Sequence, residues 1–156
     1  MRLHICAVGR LRAGPERTLI DDYLTRFDRT GRALGLGPAT LHEVEDKKGG
    51  GMRAEADLLR RALPNGARFA VMDERGKTPN SPGFADILAG WRDTGVQDAA
   101  FVIGGADGID PGLRAQADMA ISFGAMVWPH MLARVMLSEQ LYRAASILAG
   151  SPYHRV

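Results

Sequence analysis

Cysteine is nearly absent: of 156 residues only Cys6 carries a thiol. No internal disulfide can form, and zinc sites built on paired cysteines are excluded. Cys6 sits in an apolar opening run and reads as a buried thiol acting as a small hydrophobe. Long apolar stretches are missing too, since none approaches the roughly 20 residues of a membrane span. The opening run from Met1 to Val8 is too short, and too soon broken by Gly9-Arg10, for a secretory signal. A soluble, reducing, cytoplasmic setting is the expectation. Neither a GxGxxG turn nor a GxxxxGK(S/T) loop occurs, which argues against an ordinary dinucleotide fold and against a P-loop enzyme. Charge of one sign is not in excess: Lys and Arg number 20 against 18 Asp and Glu, for a net charge of +2. That balance permits nucleic-acid binding without demanding it.

What is present suits one globular domain spanning residues 1–156, with enough apolar content (46%) for a core without staples. Short apolar runs alternate with helix-spaced segments. Leu3 to Val8 reads as a buried strand closed by Gly9. Leu19, Ile20, Tyr23, Leu24 and Phe27 share one side of a helix over Glu16 to Phe27. A strand at Thr40 to Val44, a basic glycine loop at Lys47 to Gly51 and a helix over Met52 to Leu63 follow. A strand from Arg68 to Met72 enters Asp73 to Lys77, ahead of a helix over Pro82 to Arg92. Ala99 to Ile103 is an apolar strand stopped by Gly104-Gly105, and Pro111 to Asp118 a short helix. After the apolar run Met119 to Phe123, Pro129 opens a long last helix ending near Gly150. This order favours an α/β architecture, a mostly parallel sheet flanked by helices.

Four segments carry candidate chemistry. Gly104, Gly105 and Gly108 follow a strand end, where open α/β sheets bind ligands and where glycine bares backbone amides; alone, such a turn is more often a plain turn. Phe123, Gly124, Ala125, Met126, Val127 and Trp128 form an apolar wall fit for a flat ring, or a buried connection. In the last helix Glu139 lies on a stripe with Leu132, Val135 and Met136, four residues before Arg143. An ion pair on an apolar stripe points to an interface or a site. The tail Ser151 to Val156 brings together Tyr153, His154 and Arg155, groups suited to stacking, proton transfer and phosphate contact; composition alone favours disorder there. His4 and His42 read as structural or surface residues rather than metal ligands.

Taken together, Ile103-Gly104-Gly105-x-x-Gly108, Pro129-His130, Glu139-Gln140-Leu141-Tyr142-Arg143-Ala144 and Pro152-Tyr153-His154-Arg155 resemble the ribosomal RNA large subunit methyltransferase H family, small members of the SPOUT class. The resemblance spans the chain and includes Ala7-Val8-Gly9. Ala106-Asp107 departs from the Pro-Glu common there but keeps the acid. The resemblance implies a C-terminal trefoil knot, which general chain rules would have excluded. It implies a homodimer, S-adenosylmethionine (AdoMet) as methyl donor with no metal, and N3 of a pseudouridine in a large-subunit rRNA stem-loop, within assembled ribosomes, as target. Its cofactor pocket would involve Met72, Gly105 and Phe123 to Trp128. Its catalytic group would be Tyr153, His154, Arg155, Arg143 and Glu139, with the tail of one subunit closing over the pocket of the other. His154 is then the candidate base, Arg143 and Arg155 hold phosphate or the developing anion, and Glu139 orients Arg143. Two alternatives stand beside this: a non-catalytic ribosome- or RNA-binding module of the same fold, and a knotted tRNA methyltransferase.

Overall fold

In the computed structural model, which describes residues 1–155, five parallel strands form one sheet in the order β2-β1-β4-β3-β5. The strands are β1 Arg2–Val8, β2 Ala39–Val44, β3 Arg68–Lys77, β4 Asp98–Ile103 and β5 Met119–Ile121. Five helices alternate with and follow them: α1 Pro15–Gly31, α2 Gly51–Ala62, α3 Ser81–Asp93, α4 Pro111–Gln116 and α5 His130–Leu148.

The strand period of two sorts side chains onto two faces. Leu3, Ile5, Ala7, Ala70, Phe101 and Ile103 pack beneath α1, α3 and α5. Cys6, Val71 and Val102 point the other way, under α2 and α4. Both faces are covered, which is why β4 is buried along its whole length. The Cys6 thiol is fully enclosed, and burial pushes its pKa up to about 12, so it behaves as a hydrophobe.

Helix starts follow local chemistry. The Asn80 side chain accepts from the Gly83 amide at 2.8 Å, and Asp110 accepts from Leu113 at 3.1 Å. Pro15 and Pro111 occupy first-turn positions whose amides need no partner.

Two features depart from the sequence expectation. The third strand continues past Met72 to Lys77 through a bulge, with Met72 and Lys77 both registering against Ile121. Gly76 permits this approach, because a Cβ there would stand 2.5 Å from the Ala120 carbonyl carbon. The tail, expected to be disordered, is docked on α5 by the contacts described below.

β5 lies at the sheet edge outside β3, yet α5 packs against α1 and α3 and reaches the end of β1. The return segment 122–129 therefore crosses back over the strand ends. No described helix is long and apolar enough to cross a membrane.

Candidate active site

The carboxyl ends of β3, β4 and β5 open into a cavity of about 510 Å³. On one side stand Gly104, Gly105 and Gly108, held as a tight turn by the Gly108 amide donating to the Gly105 carbonyl at 3.0 Å. On the other runs the return segment, contributing Phe123, Gly124, Met126, Val127 and Trp128. Met72 lies at the base. A Cβ on Gly104 would sit 2.6 Å from the Gly108 oxygen, and one on Gly105 only 2.4 Å from Glu55 Oε2. A larger residue at 104 would push into backbone and open the turn, whereas at 105 it would have to move the Glu55 carboxylate and press on Val8. Gly124 has φ +110, a backbone state that side chains resist.

Of the eight residues expected to hold a cofactor, seven line this cavity; Ala125 does not. The cavity also takes in Asp73 and Ala133, which the sequence did not single out, and His130, named there only within the Pro129-His130 motif. Asp73 is almost fully enclosed and pairs with Arg114 at 2.6 Å and Arg75 at 3.1 Å, tying β3 to α4. Its signal in the sequence was weak, an acid two residues before an arginine at a strand end. Burial, with the Arg134 charge adding to it, lowers the pKa of His130.

A second cavity of about 640 Å³ lies on the α1, α3 and α5 side and shares Met72, Phe123 and Gly124 with the first. Val135, Met136 and Glu139 line it, as their common stripe predicts, together with Gln140 and Tyr23.

Glu139 is the hub of the polar cluster on α5. Its Oε1 accepts from Arg143 Nε at 2.9 Å and from the Tyr153 hydroxyl at 3.0 Å. Its Oε2 accepts from Gln140 Nε2 at 2.9 Å, and Ser81 in turn donates to Gln140 Oε1 at 2.8 Å. The Tyr153 ring packs on Tyr142, with centroids 4.6 Å apart, and under the Arg143 guanidinium at 4.7 Å. Burial first, then the Glu139 carboxylate, push the Tyr153 phenol up to about 12. The hydrogen bond to Glu139 raises the Arg143 pKa. Arg143 Nη1 lies 3.2 Å from His154 Nδ1. Because a guanidinium only donates, Nδ1 accepts and the imidazole carries its proton on Nε2.

Tyr153, His154, Arg143 and Glu139 are thus brought together, whereas Arg155 is exposed and joins none of these bonds. Tyr153, His154, Arg155 and Arg143 line neither cavity; within one chain the tail cluster and the glycine cavity remain separate. At the amino end of the sheet, His4 bonds His42 at 3.0 Å and Asp98 at 2.8 Å, and Asp98 also accepts from Arg2. These histidines join neighbouring strands, and among the described residues no group of three or more potential ligands is arranged around a metal position.

The family profile described as "Predicted SPOUT methyltransferase" matches residues 1–154. The chain belongs to this family. Within it, the chain is 77% identical to a protein of Ruegeria pomeroyi and 75% identical to one of Ruegeria sp. (strain TM1040), in both cases over all of each chain. Each is named ribosomal RNA large subunit methyltransferase H. Among solved structures, the SpoU methyltransferase AviRb from Streptomyces viridochromogenes, in complex with AdoMet, overlaps 96% of this chain and 59% of its own, at 17% identity and a TM-score of 0.44. The family assignment rests on the sequence matches.

Proposed function

We propose that this SPOUT protein transfers a methyl group from AdoMet to N3 of a pseudouridine in a large-subunit rRNA stem-loop. The observation that carries the reading is the glycine cavity at the strand ends in a chain of this family. Its side-chain-free glycine turn, the apolar Met126, Val127 and Trp128, and polar groups from Asp73, Glu74 and Asp107 suit an adenosine and a methionine moiety. Met72, Gly105 and the 123–128 segment would hold the cofactor, Ala125 contributing through its neighbours rather than its own side chain.

When bound, AdoMet supplies an already activated sulfonium methyl. The protein's share is alignment, worth about 7–11 kcal/mol in well-oriented reactions, and removal of one weakly acidic imide proton. Arg143 and Arg155 favour the anion that forms at N3. Glu139 fixes the direction in which Arg143 points. His154 is the candidate acceptor for the proton, but its Nδ1 lone pair is held by Arg143 while the tail lies on its own helix. It becomes a base only when the tail leaves that contact.

A homodimer provides the occasion. Met126 and Val127 are 73% and 85% exposed, and Trp128, Met131 and Leu132 continue the apolar surface beside the cavity. Large exposed apolar side chains grouped this way mark an interface. In a two-fold pair the tail of one protomer would cover the cavity of the other, joining the two halves that one chain keeps apart.

The test is calorimetry with AdoMet, followed by methylation of free large subunits and of assembled ribosomes with mass mapping of the product. A single methyl on a pseudouridine of the large-subunit rRNA is expected, with assembled ribosomes the better substrate. Binding of AdoMet without turnover would favour a non-catalytic module, and transfer to tRNA alone would favour the tRNA reading.

A further inference from the structure

The largest fully buried side chain among the described residues is a charged one, Arg134, and nothing in the proposed chemistry uses it. It belongs to the second turn of α5, on the buried stripe continued by Leu137, Ser138 and Leu141. Its Nη1 donates to Glu43 Oε2 at 3.0 Å, and its Nη2 to the carbonyls of Val8 and Gly9, the latter at 2.9 Å. Its Nε has no hydrogen-bond partner among the described residues. Glu43, on β2, also accepts from the Leu11 amide at 2.6 Å and lies 3.3 Å from Arg17. Gly9, with φ +93, is where the chain leaves β1 and turns its carbonyl to the guanidinium.

A buried ion pair is a poor way to gain stability, because desolvation offsets the attraction and a well-packed apolar pair often does as well. What it supplies is a defined position. Arg134 ties three elements at one point: the end of β1, the end of β2 and the start of α5. The residues just before it, His130 and Ala133, line the glycine cavity. The eight residues 122–129 that join Ile121 to His130 form the cavity's exposed side: Ser122 is buried and Phe123 packs against the core, while Met126 and Val127 are 73% and 85% exposed. The exposed stretch is therefore held from its two ends, the β5 pairing with Ser122 and Phe123 on one and the Arg134 anchor on the other.

We propose that Arg134 and Glu43 are positioning residues for the cofactor wall, holding the return segment at the separation from the glycine turn that AdoMet needs. The cofactor part of this inference rests on the reading of the glycine cavity given above; the anchoring part does not. Neither residue touches the cavity. They act through the first turn of α5, and a wall held even an ångström too loosely loses affinity.

The test uses the full-length protein and two variants, Glu43→Gln and Arg134→Lys, with Leu24→Ala as a core control distant from the anchor. In the ligand-free state, amide exchange across residues 122–133 should speed up by roughly tenfold or more in both variants, while β4 keeps its protection. The Kd and KM for AdoMet should rise by roughly tenfold, with kcat at saturating AdoMet changing by less than about threefold. Leu24→Ala should lower Tm and move none of these readouts. Arg134→Lys keeps the charge but lacks the fork that reaches three acceptors, so it carries the test if Glu43→Gln fails to fold. Lowered Tm with unchanged exchange over 122–133 and unchanged AdoMet affinity would reduce the pair to an ordinary structural contact and overturn the proposal. A parent chain that does not bind AdoMet would strike the cofactor reading instead, and the exchange measurement would still decide the anchoring.

Discussion

The glycine cavity combines a side-chain-free turn and an apolar wall with Asp73, Glu74, Arg75, Asp107 and His130, whereas the tail cluster sets a carboxylate, a guanidinium, a phenol and an imidazole within reach of one another along α5. On the proposed reading the first would recognise by shape and the second by charge and proton state, through Glu139 and the groups that converge on it. A methyl transfer needs both, since an activated donor must be aligned and a proton removed. In the single chain the groups of the tail cluster bond mostly to one another, with His154 Nε2 left without a partner among the described residues.

That division can be broken most completely at the tail. Deleting residues 151–156 should abolish transfer to rRNA while AdoMet affinity, by calorimetry, stays within about twofold, a shift of well under 1 kcal/mol. Equal turnover by the truncated chain would refute the tail's role. Gly104→Ala should do the reverse. The new methyl meets the Gly108 carbonyl oxygen at 2.6 Å, so the turn must shift, and AdoMet should bind roughly 10- to 100-fold more weakly, with the tail contacts intact. A crystal structure of this variant with an undisturbed turn and native affinity would show that shape is not what the cavity reads.

Smaller effects sharpen the picture inside the tail cluster. Glu139→Gln leaves the Arg143 guanidinium without its anion; charged hydrogen bonds of this sort are worth about 1.5–3 kcal/mol, so denaturant unfolding should show a loss of about that size. Transfer should fall with it, and AdoMet affinity should fall far less. Smallest of all is Tyr153→Phe, which removes one hydroxyl and should lower stability near neutral pH by about 1 kcal/mol. Its pH signature is more telling. The phenol's pKa is raised in the folded chain, to about 12, so its contribution is complete below the unfolded value of about 10 and is lost as pH rises from there toward 12. Thermal unfolding of the parent chain should weaken along that alkaline limb, and Tyr153→Phe should flatten it.

Much of the architecture was legible because its signals are local. The alternation of Leu3, Ile5 and Ala7 against Cys6, the stripe of Ile20, Leu24 and Phe27, and the stop at Gly104 all act over a few residues. Seven of the eight residues that the family resemblance implied for the cofactor line one cavity; the glycine turn and the apolar wall were also legible by composition and by their place after strands. Ala125 alone of the eight does not line it, next to Gly124 at positive φ. Composition alone favoured disorder in the tail, and only the family resemblance gave it a role, because its anchors, Glu139, Tyr142 and Arg143, lie 10 to 15 residues back on α5, beyond what composition can register.

By itself the sequence determined which residues would be strand or helix, which faces would be apolar, and where the backbone would be bare enough to admit a ligand, because periodicity and turn chemistry are properties of neighbours. Only the tertiary structure decided that β4 lies between β1 and β3, that 122–129 crosses back over the strand ends, and that a guanidinium is buried where β1, β2 and α5 meet. Those outcomes depend on groups brought together from distant parts of the chain, with Arg134 and Val8 126 residues apart, and on the balance between burying a charge and giving it three acceptors.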